Sequence, residues 1–280
     1  MACGGGAGTG DVMGLLAEIL AQKAVEVTAL SAASVGKRAP GDAPRDVLAA
    51  LRRAPGEPLR LIAEIKFRSP SAGALSRTLG AGERARVYER AGAAMVSVLT
   101  DRTWFDGSLE DLSAARAQIS VPVLCKDFVV DPVQIERAWV GGADAVLLIV
   151  RCLPQGGLLS RLVEGARSRG IEPFVEVVDE RELDVALAAG ARLIGVNARD
   201  LDTLEVDGER TKRVLARIPA STVAVHLSGL RSGPDAAEVA ASRADAALIG
   251  EALMRRDDPA PLLDELVRGA ATRTASAPKS

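Results

Sequence analysis

The sequence predicts a (β/α)8 barrel preceded by an N-terminal helical extension. Short apolar, β-branched runs recur from residue 60 onward: Leu61–Lys66, Met95–Leu99, Val121–Cys125, Ala145–Val150, Pro173–Val177, Leu193–Val196, Val223–Leu227 and Ala246–Ile249. Their starts lie 20 to 34 residues apart. Between them fall amphipathic stretches such as Leu109–Ile119, Val133–Val140, Leu158–Ala166 and Arg181–Ala189. Near-continuous apolar runs alternating with helices mean parallel strands buried on both faces. Eight such units in roughly 210 residues point to a closed barrel. The runner-up, a doubly wound open sheet, usually has fewer strands and wants a Gly-rich first turn, which is absent here.

Residues 1–10 read as a flexible terminus, 11–59 as the extension, 60–269 as the barrel and 270–280 as a flexible tail. Within the extension, residues 11–30 predict a helix with an apolar stripe of Val12, Leu15, Leu16, Ile19 and Leu20, and Asp11 as its N-cap. Residues 31–44 read as a loop and Arg45–Arg53 as a second short helix. The extension is expected to pack over one end of the barrel. Inside the repeat, Ala91-Gly-Ala, Gly141-Gly-Ala-Asp and Ala189-Gly-Ala-Arg are helix-ending turns, where glycine takes the left-handed conformation at little cost. Asp131 followed by Pro132 reads as an N-cap and N1 proline.

A formal charge of −2 and a pI near 5.7 give no electrostatic case for nucleic acid or an anionic membrane. Aromatics at 2% argue against stacking platforms for single strands. Three cysteines, Cys3, Cys125 and Cys152, have no CxxC spacing and fit a reduced, cytoplasmic chain. No basic n-region opens the chain, and no run is long enough to span a bilayer. Gly6-x-Gly8-x-Gly10 follows no strand, so it is not read as a nucleotide loop.

Only six of the thirty-five basic residues are lysine: Lys23, Lys37, Lys66, Lys126, Lys212 and Lys279. Arginine is a permanent cation, whereas lysine's pKa moves on burial. Lys66 and Lys126 stand at the ends of predicted strands, where a barrel of this kind builds its active site. The other strand ends supply Glu64, Glu176, Asn197, Arg199, Ser228, Gly229 and Gly250. Glu64 and Lys66 are two apart and share a face, as do Phe174 and Glu176. Charged groups inside a barrel need partners. A structural ion-pair network is the plain reading; proton chemistry, with a desolvated lysine as acid beside a carboxylate base, is the one favoured. Ser228-Gly229 and Gly250, with a short helix starting near Glu251, read as a phosphate site, provided that the Glu251 side chain turns away. His226, the one histidine, faces the helix layer if Leu227 faces inward, and reads as a packed or partly exposed bystander. A metal site and a serine nucleophile lack support, since there is no His/Cys cluster and no GxSxG elbow.

Several ordered stretches resemble the indole-3-glycerol phosphate synthase family of tryptophan biosynthesis. They are Ile62 through Gly73, Ser97-Val-Leu-Thr-Asp, Phe105 through Asp111, Pro122 through Phe128, Ile135 through Ile149, Val175-Glu-Val, Ile194 through Leu201 and Ala247 through Met254. The likeness covers about residues 11–265. It implies a cofactor-free lyase that converts 1-(2-carboxyphenylamino)-1-deoxyribulose 5-phosphate to indole-3-glycerol phosphate, carbon dioxide and water. It implies Lys126 as the general acid for ring closure, Glu176 as the acid/base of dehydration with Lys66 taking part, and Glu64 orienting the lysines. Ser69, Pro70, Asn197, Arg199 and Leu248 match substrate-lining positions, Phe105 and Phe128 aromatic walls, and Ser228, Gly229 and Gly250 the phosphate site. Partners beyond a small phosphorylated substrate, such as other enzymes of the pathway, are left open.

One position departs from the family. Its members read Glu-Ser-Gly after the seventh strand, where this chain has Leu227-Ser-Gly229 preceded by His226. Phe67-Arg68 and Ala72 also differ from the more basic residues usual there. Two alternatives follow: a non-catalytic or regulatory relative that binds the sugar phosphate or a partner subunit, and a neighbouring barrel such as phosphoribosylanthranilate isomerase. The isomerase would want a Cys/Asp acid–base pair, and Lys126 argues against it.

Overall fold

The structure, a computed structural model, describes residues 14–31, 36–39, 42–154, 156–199 and 206–271. Asp11, Val12, Cys3 and the glycine-rich start lie outside these residues. Eight parallel strands close into a barrel: β1 (Arg60–Ile65), β2 (Met95–Leu99), β3 (Val123–Lys126), β4 (Ala145–Ile149), β5 (Glu172–Val177), β6 (Leu193–Asn197), β7 (Val223–Leu227) and β8 (Ala246–Ile249). Each pairs with the next, and β8 closes onto β1 with Ile62 opposite Leu248. The strands are buried almost throughout, as continuous apolar runs require.

Strand bounds differ from expectation where the backbone dictates. β3 starts after Pro122, which has no N–H to give the ladder, although its carbonyl accepts from Val96. β4 stops at Ile149 because Val150–Cys152 tightens into a 3-10 turn. β5 gains Glu172, whose N–H donates to the Asp144 carbonyl.

The helices are α1 (Leu15–Ser31), α2 (Val47–Leu51), α3 (Ala81–Arg90), α4 (Arg102–Phe105), α5 (Leu109–Gln118), α6 (Pro132–Val140), α7 (Leu158–Ser168), α8 (Glu180–Ala188), α9 (Gly208–Arg217), α10 (Gly233–Ala240), α11 (Glu251–Met254) and α12 (Ala260–Ala271). Side-chain N-caps start several of them. Ser108 accepts from Asp111 N–H, Asp131 from Val133 and Asp179 from Glu182. α12 runs through Ala271, two residues into the segment expected to be tail.

The extension packs over the C-terminal end of the barrel, as expected, and also reaches the opposite face. α1 lies across the C-terminal ends of the strands, where Leu15, Leu16 and Ile19 border the central cavity. Arg38, beyond α1 in sequence, donates to the carbonyls of Trp139 and Ala143 at the end of α6. α2 then closes the opposite face. Arg45 N–H donates to Asp144, and Arg52 and Arg53 donate to the carbonyls of Ser221 and Ser242. Arginine forks engaging backbone carbonyls are a long-range docking device that a helix pattern does not encode.

The barrel interior narrows at Gly195. A Cβ there would sit 2.5 Å from a ring carbon of Phe174 and 2.7 Å from a methyl of Leu227. Only glycine lets these two side chains fill the interior together. This contact also settles the facing of β7: Leu227 points in and His226 out.

Candidate active site

A cavity of about 770 Å³ opens at the C-terminal ends of the strands under α1. All fourteen residues singled out from the sequence border it: Glu64, Lys66, Ser69, Pro70, Phe105, Lys126, Phe128, Glu176, Asn197, Arg199, Ser228, Gly229, Leu248 and Gly250. Leu227 borders it as well.

Two ion pairs organise its floor. Glu64 and Lys66, on the same face of β1 and its extension, meet at 2.9 Å. Lys126, at the end of β3, lies 3.5 Å from Glu176 on β5. The second pair continues as a chain of hydrogen bonds. Asn197 donates from Nδ2 to Glu176 Oε1 at 2.9 Å, and its Oδ1 accepts from Ser228 Oγ at 2.9 Å and from Arg199 N–H at 3.0 Å. Carboxylate, amide and hydroxyl therefore run unbroken from the lysine to the loop after β7.

Electrostatics set the proton inventory. Burial alone would lower the Lys126 pKa, but the Glu176 and Glu64 carboxylates outweigh it and hold the ammonium above the ordinary lysine value. Lys126 is thus not a lysine brought near neutrality by desolvation. Lys126 keeps its proton at neutral pH and is available to give it. Burial would likewise raise Glu64, yet the charges of Lys66 and Lys126 hold its carboxyl below the usual range.

Phe105 and Phe128 stand opposite each other with ring centroids 6.3 Å apart, tilted by 32°. The loop after β1 folds into a small hairpin, Arg68–Ser69 against Gly73–Ala74, in which Ser69 Oγ accepts from Ala72 N–H. The departures noted at Phe67 and Arg68 have structural partners. Phe67 is buried beneath the Arg77 guanidinium, 4.2 Å from its ring centroid, and Arg68 donates to the Thr103 carbonyl. At the far end, Glu251 turns to Arg255 at 2.8 Å, which leaves the space beside Ser228, Gly229 and Gly250 without a bare carboxylate.

Gly250 has a tighter constraint than close approach of a ligand. A Cβ there would meet Glu64 Oε1 at 2.3 Å. Cys125 points away from the cavity, and burial pushes its thiol up to about 12. Among the described residues no cysteine borders the cavity, so the Cys/Asp acid–base pair of the isomerase alternative is not found there. Among the described residues, no group of three His, Cys, Asp or Glu side chains is placed to hold a metal.

Sequence reasoning missed one cluster. Lys23 on α1 is 2% exposed and pairs with Asp101, Asp127 and Glu26. Its burial alone would lower its pKa, yet the charge of Asp127 and bonds to Asp101, Asp127 and Glu26 raise it. A signal was present: Leu16, Ile19 and Lys23 follow i, i+3, i+7 spacing, which places a lysine in the buried stripe. The expected apolar stripe roofs the cavity through Leu15, Leu16 and Ile19, whereas the rim arginines Arg231, Arg255 and Arg256 were not anticipated.

The indole-3-glycerol phosphate synthase family model matches residues 16–266. The chain belongs to the indole-3-glycerol phosphate synthase family. It is 45% identical over 260 residues to the indole-3-glycerol phosphate synthase of Mycolicibacterium vanbaalenii, covering 93% of each chain. It is also 45% identical over 255 residues to that of Mycobacterium ulcerans, covering 91% of each. Among solved structures, a 3-hexulose-6-phosphate synthase aligns with a TM-score of 0.61 at 16% identity, covering 75% of this chain and 99% of that one. Thiamine phosphate pyrophosphorylase from Pyrococcus furiosus aligns with a TM-score of 0.59 at 17% identity, covering 76% of this chain and 95% of that one. At such identities the likeness speaks to the barrel alone. No helix among the described residues is long and apolar enough to cross a membrane.

Proposed function

We propose that the cavity closes the indole ring of 1-(2-carboxyphenylamino)-1-deoxyribulose 5-phosphate. Family membership makes the chain a carbon–carbon lyase of tryptophan biosynthesis. The residue roles are our reading of the geometry. Lys126 gives its proton to the ribulose carbonyl oxygen as the ring carbon bearing the carboxylate attacks the carbonyl carbon. Carbon dioxide then leaves, and its bonding electron pair returns to the ring. In the dehydration, one of Glu176 and Lys66 protonates the hydroxyl, which departs as water, while the other takes a proton from the methylene carbon beside the nitrogen, whose C–H electron pair becomes the indole double bond. Glu64 holds Lys66, and the Phe105–Phe128 pair walls the aromatic part. Ser228, Gly229 and Gly250 seat the phosphate and fix the reacting end in place. The cavity is also lined by Leu227, Leu147 and Leu248, an apolar floor suited to a benzenoid ring.

The observation that carries this reading is the connected path Lys126–Glu176–Asn197–Ser228. It joins a protonated donor to the anion loop through fixed dipoles, the preorganisation on which electrostatic catalysis depends. The test is turnover of the carboxyphenylamino substrate followed by indole fluorescence. Product formation that disappears in Lys126→Ala supports the reading. A folded wild-type chain that binds the substrate and forms no indole favours the second reading, a binding relative silenced by Leu227. The buried thiol of Cys125, outside any disulfide, suits a reducing compartment, and we place the chain in the cytoplasm on that ground.

A further inference from the structure

We propose that His226, on the outer face of β7, is a positioning residue for the anion loop inside the barrel. The inference rests on the reading above that Ser228–Gly229 seats the substrate phosphate. His226 does not border the cavity. Its Nε2 lies 2.9 Å from the carbonyl oxygen of Ser228. A carbonyl can only accept, so Nε2 carries the hydrogen and donates it. The bond reaches two residues ahead, round the end of the strand.

What it holds is unusual. Ser228 has φ of +68°, and among the described residues only Asp106 shares such a conformation without being glycine. A left-handed serine carries a steric penalty that its surroundings must offset. Gly229 follows at φ of +92°, so two successive residues turn the chain the same way. In this geometry Ser228 Oγ donates to Asn197 Oδ1, the amide that in turn donates to Glu176. The imidazole therefore fixes one side of a strained residue whose hydroxyl, on the other side, terminates the path from Lys126.

The groups around His226 suit holding rather than proton transfer. In register it lies beside Val196 on β6 and Ala247 on β8. Burial lowers its pKa, with the Ser228 carbonyl and the charge of Glu238 opposing, so the neutral ring with hydrogen on Nε2 is the working form. The neutral donor gives the loop a fixed anchor without bringing a second charge to the barrel wall.

The test compares His226→Phe, which fills the space but cannot donate, with His226→Gln, which keeps an N–H donor. Each is made alone and with Ser228→Gly, which removes the left-handed penalty. KM, kcat, Tm and affinity for inorganic phosphate are measured. His226→Phe is expected to raise KM and weaken phosphate binding roughly fivefold, the scale of one lost hydrogen bond, with kcat within about twofold. His226→Gln restores most of the loss, and His226→Phe costs little further in the Ser228→Gly background. Unchanged KM and phosphate affinity in His226→Phe overturn the proposal. So does a loss confined to Tm, or the same penalty in both backgrounds. If the wild-type protein binds no phosphate, the loop reading fails and this proposal falls with it. If the wild type binds phosphate and His226→Phe binds it equally well, only the role of His226 is rejected.

Discussion

The ammonium of Lys23 lies 2.7 Å from the carboxylate of Asp101, and both side chains are shut away from solvent. Asp101 follows β2, and Asp127, also 2.7 Å from Lys23, follows the catalytic candidate Lys126. One lysine on the extension thus bridges two carboxylates at adjacent strand ends. Lys23→Met keeps the side-chain bulk and leaves those carboxylates unpaired. Removing one partner of a buried pair costs roughly 3–5 kcal/mol. Denaturant unfolding of the variant is expected to show a loss of that order, and an unchanged midpoint would remove the cluster from the stability of the fold.

Lys126→Ala is expected to lower kcat by at least about 10²-fold, the scale for losing a general acid, with substrate binding much less affected. Steady-state kinetics beside a thermal melt decides it. Near-native turnover at unchanged Tm would sink the assignment.

The pH dependence follows from the same lysine. Its pKa stands above the ordinary 10.5 because Glu176 and Glu64 stabilise the charged form against burial. The acid stays protonated as pH rises from about 7 to 9.5, so its ionisation places no alkaline limb in that window. Glu64→Gln removes one raising charge and should shift the alkaline limb of kcat to lower pH. For Glu64 the linkage has the opposite sense. Its folded pKa is depressed, so its stabilising contribution is present above the unfolded value and is lost as pH falls through the folded one. A limb that stays put in Glu64→Gln would show that the two groups are not coupled.

Gly250→Ala should damage chemistry as well as binding. The new methyl would overlap Glu64 Oε1, displacing the carboxylate that holds Lys66. The expected signature is a fall in kcat together with a rise in KM. A rise in KM alone would mean that Glu64 moves aside without consequence.

Leu227→Glu is expected to raise kcat and lower Tm. The leucine is 3% exposed and packs over Gly195, so a carboxylate there loses buried apolar contact. It also brings a proton acceptor to the cavity wall. His226→Ala should change kcat little. Turnover that falls in a folded Leu227→Glu protein would show that the interior has repacked around leucine.

The barrel was legible because its grammar is local. Eight apolar runs and the capped helices between them need only a few neighbouring residues to be recognised, and Asp131-Pro132 or Gly141-Gly142 punctuate them unambiguously. The cavity residues were legible because strand ends converge by topology: Lys66, Lys126, Glu176 and Asn197 need no contact prediction to be placed together. The path of the extension was not. Its docking depends on Arg38, Arg52 and Arg53 reaching backbone carbonyls more than a hundred residues away, and a carbonyl leaves no mark in the sequence. His226 was placed on the correct face by alternation. Its bond to Ser228 was hidden because it depends on a left-handed turn that serine does not advertise.

The extension that spans both barrel faces imposes an order on the birth of the chain. α1 is made before the barrel, yet its anchors on Asp101 and Asp127 lie far downstream, and the carbonyls that receive Arg52 and Arg53 come later still. Contacts so distant along the sequence form slowly, after the loops between them have closed. Protease sensitivity of α1 in nascent chains of increasing length would report when docking occurs. Until the strands that receive it exist, the growing polypeptide carries the Leu15, Leu16 and Ile19 stripe uncovered, an exposed apolar surface of the kind that invites aggregation or chaperone capture.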